Sequence, residues 1–395
     1  MKKTLLAAAL FAGFAGFAGA AQAETQVTLY GILDTGIEFN NVKTAGGTNY
    51  STVGLDSGNM SGSRWGMKGT EDIGGGTQVT FQLESGFQVT NGYSNQSQRL
   101  FGRRAFLGLQ NASWGMVRVG RGPTIATDMF QGAHSDPFGY AFGPFQLGNI
   151  STETNTYRTD NQVGYMSPVF AGFQIGAGYS FNVNNANPYT NVTYPGGVKT
   201  TSNSTYGVGE PMGKRAQGFD LTGTYTNGPL FLGVTYGQTN PYATSSTATG
   251  TVRQVTLDAS YDFQVVRVYG AYVRGWNGLV GSPSGQSLGD GGFNAFDVQT
   301  GGNGYVAGMK QNAFMVGASV PVGTATSIFA SYTHQTLGGK NNPFQGTAQN
   351  TFGVGVNYNL SKRTNVYGVV GYINGLGNVY GQKETAAVVG MRHQF

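Results

Sequence analysis

The chain has 395 residues, 23 of them basic and 18 acidic, for a formal net charge of +5, and only 10% of its residues are charged, against about 25% in soluble domains. So balanced a charge argues against nucleic acid as a partner, and the absence of Cys excludes disulfides, thiol nucleophiles, iron–sulfur ligands and Cys-based zinc sites. With 25 Phe, 22 Tyr and 66 Gly, the composition fits surfaces that alternate between apolar and polar along a strand.

Residues 1–23 read as a cleaved signal peptide. Lys2 and Lys3 form a basic start, Leu5 to Ala21 is an apolar run, and Ala21-Gln22-Ala23 is an A-x-A cleavage site. Beyond it no stretch of 18 consecutive apolar residues occurs, so no spanning helix is available.

Period-two segments follow. In the first, Leu29, Leu33, Ile37 and Phe39 oppose Asp34 and Glu38. In Ser63 to Thr70, Trp65 and Met67 share one face and Arg64, Gly66 and Lys68 the other. Phe173 to Phe181 sets Phe173, Ile175, Ala177, Tyr179 and Phe181 against Gln174, Gly176, Gly178 and Ser180. Residues 254–263 set Val255, Leu257, Ala259, Tyr261 and Phe263 against Gln254, Thr256, Asp258, Ser260 and Asp262, and 351–358 repeat the pattern with Phe352, Val354, Val356 and Tyr358. A soluble sandwich buries an aliphatic face. Here aromatics recur near the ends of the apolar face while charges and glycines line the other. That is the pattern of an outer-membrane barrel, apolar toward lipid and polar toward water. A sheet in hydrocarbon must close on itself.

The connections alternate in length. Short turns are read at 72–76, 111–115, 169–172, 227–229, 262–264, 322–326 and 361–364. Long polar loops are read near 42–61, 91–98, 123–155, 183–216, 240–250, 276–309, 337–347 and 375–382. Seven turns and eight loops join sixteen strands, so the expected fold is all-β, a 16-stranded antiparallel transmembrane barrel over 24–395. Counting back by twos from Phe395 puts His393, Met391, Val389 and Ala387 on its face, which places Phe395 in the turn-side aromatic girdle.

The stretches VTLYGILDTGIEF, SRWGMKGTEDIGGG (63–76), RRAFLGL (103–109), MVRVGR (116–121) and the terminal RHQF resemble the general trimeric porins of Gram-negative outer membranes, over essentially all of 24–395. The resemblance implies sixteen strands, a homotrimer, a third loop folded into the pore, passive diffusion of small hydrophilic solutes and ions, and no cofactor. It also implies that Phe395 is part of the signal read by the barrel-assembly machinery, with His393 in place of the usual Tyr.

Selectivity then rests on fixed charges at a constriction, where a narrow low-dielectric channel focuses their field. The resemblance assigns Arg64, Arg103 and Arg158 to a basic cluster, with Lys68 on the same inner face. Alternation alone does not choose between Arg103 and Arg104; if Phe106 faces lipid, Arg104 does too and Arg103 is left inside. The loop 123–155 is the expected constriction, with Asp128 and Asp136 as its acidic side. Residues 136–139, D-P-F-G, stand where many relatives have P-E-F-G-G. Asp34, Glu38 and Glu84 face the lumen as well, and the balance predicts a weak to moderate anion preference. Three other readings are an outer-membrane enzyme, a sugar-type channel and an adhesin. The enzyme has only His134, His334 and His393 for a base, and neither a Gly-x-Ser-x-Gly elbow nor a His-Glu-x-x-His motif. The sugar-type channel would use inward aromatics such as Phe231 and Phe329, which form no continuous track.

Overall fold

A computed structural model describes residues 26–130, 135–139, 141–142, 145, 157–183, 190–193, 199–202, 217–240, 251–278, 305–340 and 347–395. The signal peptide at 1–23 lies outside them, as do most of the expected loops 183–216, 240–250 and 276–309. The strands are β1 (Gln26–Lys43), β2 in two arms (Asn49–Ser57 and Arg64–Gly74), β3 (Thr77–Gly86), β4 (Arg104–Asn111), β5 (Gly115–Pro123), β6 (Arg158–Met166), β7 (Phe173–Ser180) and β8 (Gly218–Asn227). There follow β9 (Leu230–Thr239), β10 (Val252–Asp262), β11 (Arg267–Gly278), β12 (Tyr305–Val322), β13 (Thr326–Gly339), β14 (Gln349–Asn359), β15 (Thr364–Asn374) and β16 (Lys383–Gln394). Each pairs antiparallel with the next, and β16 returns to β1 from Ile32↔Gln394 to Lys43↔Lys383. The sheet is therefore a closed barrel of sixteen staves. Thr190–Thr193 and Lys199–Ser202 form a separate two-stranded ribbon.

Burial follows the inverted pattern. Phe173, Leu257 and Val354 are each about half exposed, whereas Asp34, Glu38, Glu84, Asp220 and Asp258 are buried. A sheet whose greasy side chains point out and whose carboxylates point in is suited to lipid outside and water inside. No helix among the described residues is long and apolar enough to cross a membrane; the crossing is made by strands.

One expectation fails in the first loop. Most of 42–61 is strand: β1 continues to Lys43 and pairs with the first arm of β2 from Thr35↔Ser57 to Lys43↔Asn49. Its lower half pairs with the second arm, from Gln26↔Thr70 to Ile32↔Arg64. Between the arms, residues 58–63 leave the ladder and are held by Asp34. The Asp34 carboxylate accepts the Met60 and Ser61 N–H groups at 3.1 and 2.8 Å, and its other oxygen accepts Tyr367 O–H at 2.5 Å. Gly58, at φ 81°, makes the left-handed step that starts the detour. Ser57, Asn59 and Ser63 are fully buried there. Small polar residues read as a loop because they can satisfy the backbone locally; here the distant Asp34 satisfies it, between two arms of one strand.

Candidate channel constriction

In β4, Leu107 and Leu109 are exposed on the outer face, so alternation turns Arg104, Phe106 and Gly108 inward. This corrects the expectation built on a lipid-facing Phe106. The ring lies under the Arg118 guanidinium, 5.3 Å from its centroid, and that cation–π contact gives an aromatic a reason to face a polar lumen. Arg103, just before β4, is buried too, and its Nε donates to Glu84 on the inner face of β3. Both arginines belong to the inner wall.

The wall formed by β2 to β6 repeats one device. Glu84 lies between Arg103, at 2.8 Å, and Arg64, at 3.9 Å. Asp128 lies between Arg104, which reaches it with two nitrogens at 3.0 and 2.5 Å, and Arg118. Asp160 takes Arg99 at 2.8 and 2.9 Å and Arg121 at 2.5 Å. A carboxylate shared by two guanidiniums leaves one positive charge over in each group. Arginine cannot relieve that excess by losing its proton. Lys68 adds an exposed ammonium on the inner face of β2, 5.6 Å from the Tyr30 ring. Arg158 opens β6 beside Tyr157, at 4.9 Å. A bulge between Gly120 and Gly122, with Gly120 at φ 138°, sets Arg121 toward Asp160.

Three of these arginines, Arg99, Arg118 and Arg121, and the acid Asp160 were not singled out in the sequence, and Arg104 was weighed there against Arg103 and set toward lipid. Arg118 was accessible there, because Val117 and Val119 flank it and both are exposed. The pairing of Asp128 with strands 24 and 10 residues away in sequence was not.

The described part of the 123–155 loop lies against inward-facing residues of the barrel. A short helix, Ile125–Phe130, follows β5. Ala126 N–H donates to Asp220 Oδ1 of β8 at 2.9 Å. Phe130 packs edge-on to Phe231, with Val252, Val273 and Met315 around it. Phe138, Phe142 and Phe145 pack on Phe329, Tyr367, Val369 and Val388, and Ser331 Oγ donates to Phe145 O at 2.9 Å. The seats are glycines. A Cβ on Gly233 would come within 2.6 Å of Phe130 Cζ, one on Gly317 within 2.6 Å of Pro137 Cγ, and one on Gly371 would meet the Phe145 ring. Phe231 and Phe329, the inward aromatics that a sugar-type channel would use, lie beneath the described part of the loop.

The two loop acids differ from their expected setting. Asp128 is not on a face across from the arginines but clamped among them. Burial alone would raise its carboxyl; Arg118 and Arg104 outweigh this and hold it below the ordinary Asp value. Asp136 is buried, accepts Phe138 N–H at 2.7 Å and lies within electrostatic reach of Asp258 on β10. Residues 131–134, 140, 143–144 and 146–156, including His134 and Glu153, lie outside the described residues. No group of three or more His, Asp or Glu among the described residues is placed to hold a metal ion.

Comparison with known proteins agrees with this geometry. Residues 6–378 match the family model described as Gram-negative porin. Over the full length of both chains, 42% of residues are identical to an outer membrane porin protein of Bordetella pertussis and 30% to outer membrane porin protein 32 of Delftia acidovorans. The structure of an anion-selective porin from Comamonas acidovorans superposes with a TM-score of 0.66 at 25% identity, covering 94% of this chain and all of that one.

Proposed function

The chain belongs to the Gram-negative porin family, and from that premise we propose that the basic wall of β2 to β6, with the loop helix clamped to it through Asp128, is the selective constriction of its channel. The protein is an outer-membrane porin: a water-filled barrel for passive diffusion of small hydrophilic solutes and ions, a channel rather than an enzyme. The single observation that carries the proposal is the two-to-one sharing of carboxylates by arginines. It leaves a net positive field beside the loop helix Ile125–Phe130, and a positive field favours anions. Arg64, Arg103, Arg158 and Lys68 supply that field together with Arg104 and Arg118. Asp128 and Asp136 hold the loop, and Asp34, Glu38 and Glu84 moderate the charge.

The assembly is proposed as a homotrimer, by analogy with a solved outer membrane protein of Vibrio cholerae described as a trimer form. Phe395 is proposed as part of the sequence read by the barrel-assembly machinery during insertion into the lipid bilayer. Its N–H and C=O pair with Gly31, at 3.0 and 3.1 Å, at the seam between β16 and β1. The test is a planar-bilayer recording under a potassium chloride gradient. A reversal potential on the chloride side supports the reading, and one on the potassium side defeats it.

A further inference from the structure

The outward face of β10 to β13 carries three cations that the channel does not use: Arg253, Arg274 and Lys310. Their direction follows from alternation. Leu257 on β10, Val268 and Tyr272 on β11, and Phe314 and Val316 on β12 are exposed on the outer face, and the three cations share their parities.

Their height follows from register. One row across the sheet reads Leu257, Tyr272, Phe314 and His334. With Tyr332 and Phe352 packed beside it, this row is the aromatic belt at the long-loop end, where aromatics mark the membrane interface. The next outward row is Val255, Arg274, Asn312 and Thr336. The one beyond it is Arg253, Trp276, Lys310 and Gly338. The cations therefore stand one and two rows beyond the belt, at the level of the outer leaflet's headgroups. Neighbouring strands lie about 4.8 Å apart, so Arg253 and Lys310 flank Trp276 with their Cα atoms roughly 10 Å apart and Arg274 sits between and below.

Among the described residues, no carboxylate faces outward on β9 to β14, and none pairs with these three. Arg274 instead stacks 5.5 Å from the Trp276 ring centroid and donates to Asn312 Oδ1. At the turn-side end of the same strand, Arg267 meets Asp262 at 2.7 Å. Among the described residues, the cations at the headgroup end have no such acid.

We infer that Arg253, Arg274 and Lys310, grouped around Trp276, bind the phosphate groups of anionic lipid headgroups in the outer leaflet. The chemistry is complementary: guanidinium and phosphate form paired charge-assisted hydrogen bonds, the indole anchors at the interface, and a charge that is costly in hydrocarbon is well placed just outside it. This site lies on the outside of the barrel and does not depend on the proposed constriction.

The test compares the wild-type protein with an Arg253→Gln/Arg274→Gln/Lys310→Gln variant in detergent, by native mass spectrometry. The probes are lipid A with both phosphates, the same lipid dephosphorylated, and inorganic phosphate. At about fivefold per cation near an anionic headgroup, the variant should bind the phosphorylated lipid roughly a hundredfold more weakly and the dephosphorylated lipid equally. Equal binding of phosphorylated lipid by both proteins overturns the inference. So does displacement of bound lipid A by inorganic phosphate at equal concentration, which marks a free-anion site. A change of oligomeric state in the variant also overturns it, because the face is then an interface between copies. Unchanged bilayer conductance and heat-resistant migration show that the variant has folded, and failure of the selectivity reading would leave the lipid result standing.

Discussion

Replacing Asp128 by Asn removes the charge that two guanidiniums share while keeping the side chain's size. Arg104 holds the carboxylate with a two-pronged contact at 3.0 and 2.5 Å, and Arg118 holds it with one more. An amide offers a single acceptor and turns N–H groups toward N–H groups. Losing one partner of a buried pair costs about 3–5 kcal/mol. The lower end, about 3 kcal/mol, is expected here because Arg118 keeps Gln162 Oε1 and Pro123 O. The loop helix should loosen, which single-channel recordings read as added current noise. The surplus charge of the group rises from one to two, so the reversal potential should move further toward chloride. Because the Asp128 carboxyl is held below its ordinary value, the clamp contributes fully above about pH 4 and is lost only as pH falls through the depressed value. Acidification should therefore reproduce the Asp128→Asn noise only below about pH 4 in the wild type and leave the variant unchanged. An Arg104→Gln/Asp128→Asn double variant should cost less than the two single changes added. A quiet Asp128→Asn channel with wild-type selectivity would refute the clamp.

Exchanging Arg64, Arg103 and Arg158 together for Ser should shift the zero-current potential toward cation selectivity; an unmoved potential removes them from the filter. Adding Arg104→Ser should deepen the shift, since Arg104 also faces the lumen. Gly371→Ala places a methyl in the Phe145 ring, an overpacking worth about 2 kcal/mol; the loop should be pushed off the wall and conductance should fall, whereas Gly54→Ala, with open space around it, should leave it unchanged. Phe395→Ala should lower the yield of assembled barrel in outer-membrane fractions, and an undiminished yield would exclude an assembly role for the ring.

Strand number, the direction of the faces and the positions of all seven turns were legible because period two is imposed by covalent geometry. Each exposed Leu or Val reports the side its neighbours take. The failures share a cause. Arg104 was misassigned because Phe106 was read as lipid-facing, and its true partner, Arg118, lies on the next strand. Residues 49–57 were read as loop because their alternation ends in the run 57–63, which residues distant in sequence, Asp34, Val89 and Arg392 among them, organise. Asp128 was picked out as a loop acid, yet its place among Arg104 and Arg118 depends on how the helix Ile125–Phe130 docks, and docking is a property of the closed barrel. Period and parity are local; who meets whom across the lumen is not.

The glycine seats have a further consequence. Phe130, Pro137 and Phe145 occupy room that Gly233, Gly317, Gly353 and Gly371 leave open, and the outer side of the same strands is untouched by that choice. Aperture and girth are thus separately adjustable. A larger residue in one of these hollows would reshape the passage and leave the lipid-facing exterior as it was, so descendants of this gene have a route to new permeability that never puts insertion into the envelope at risk.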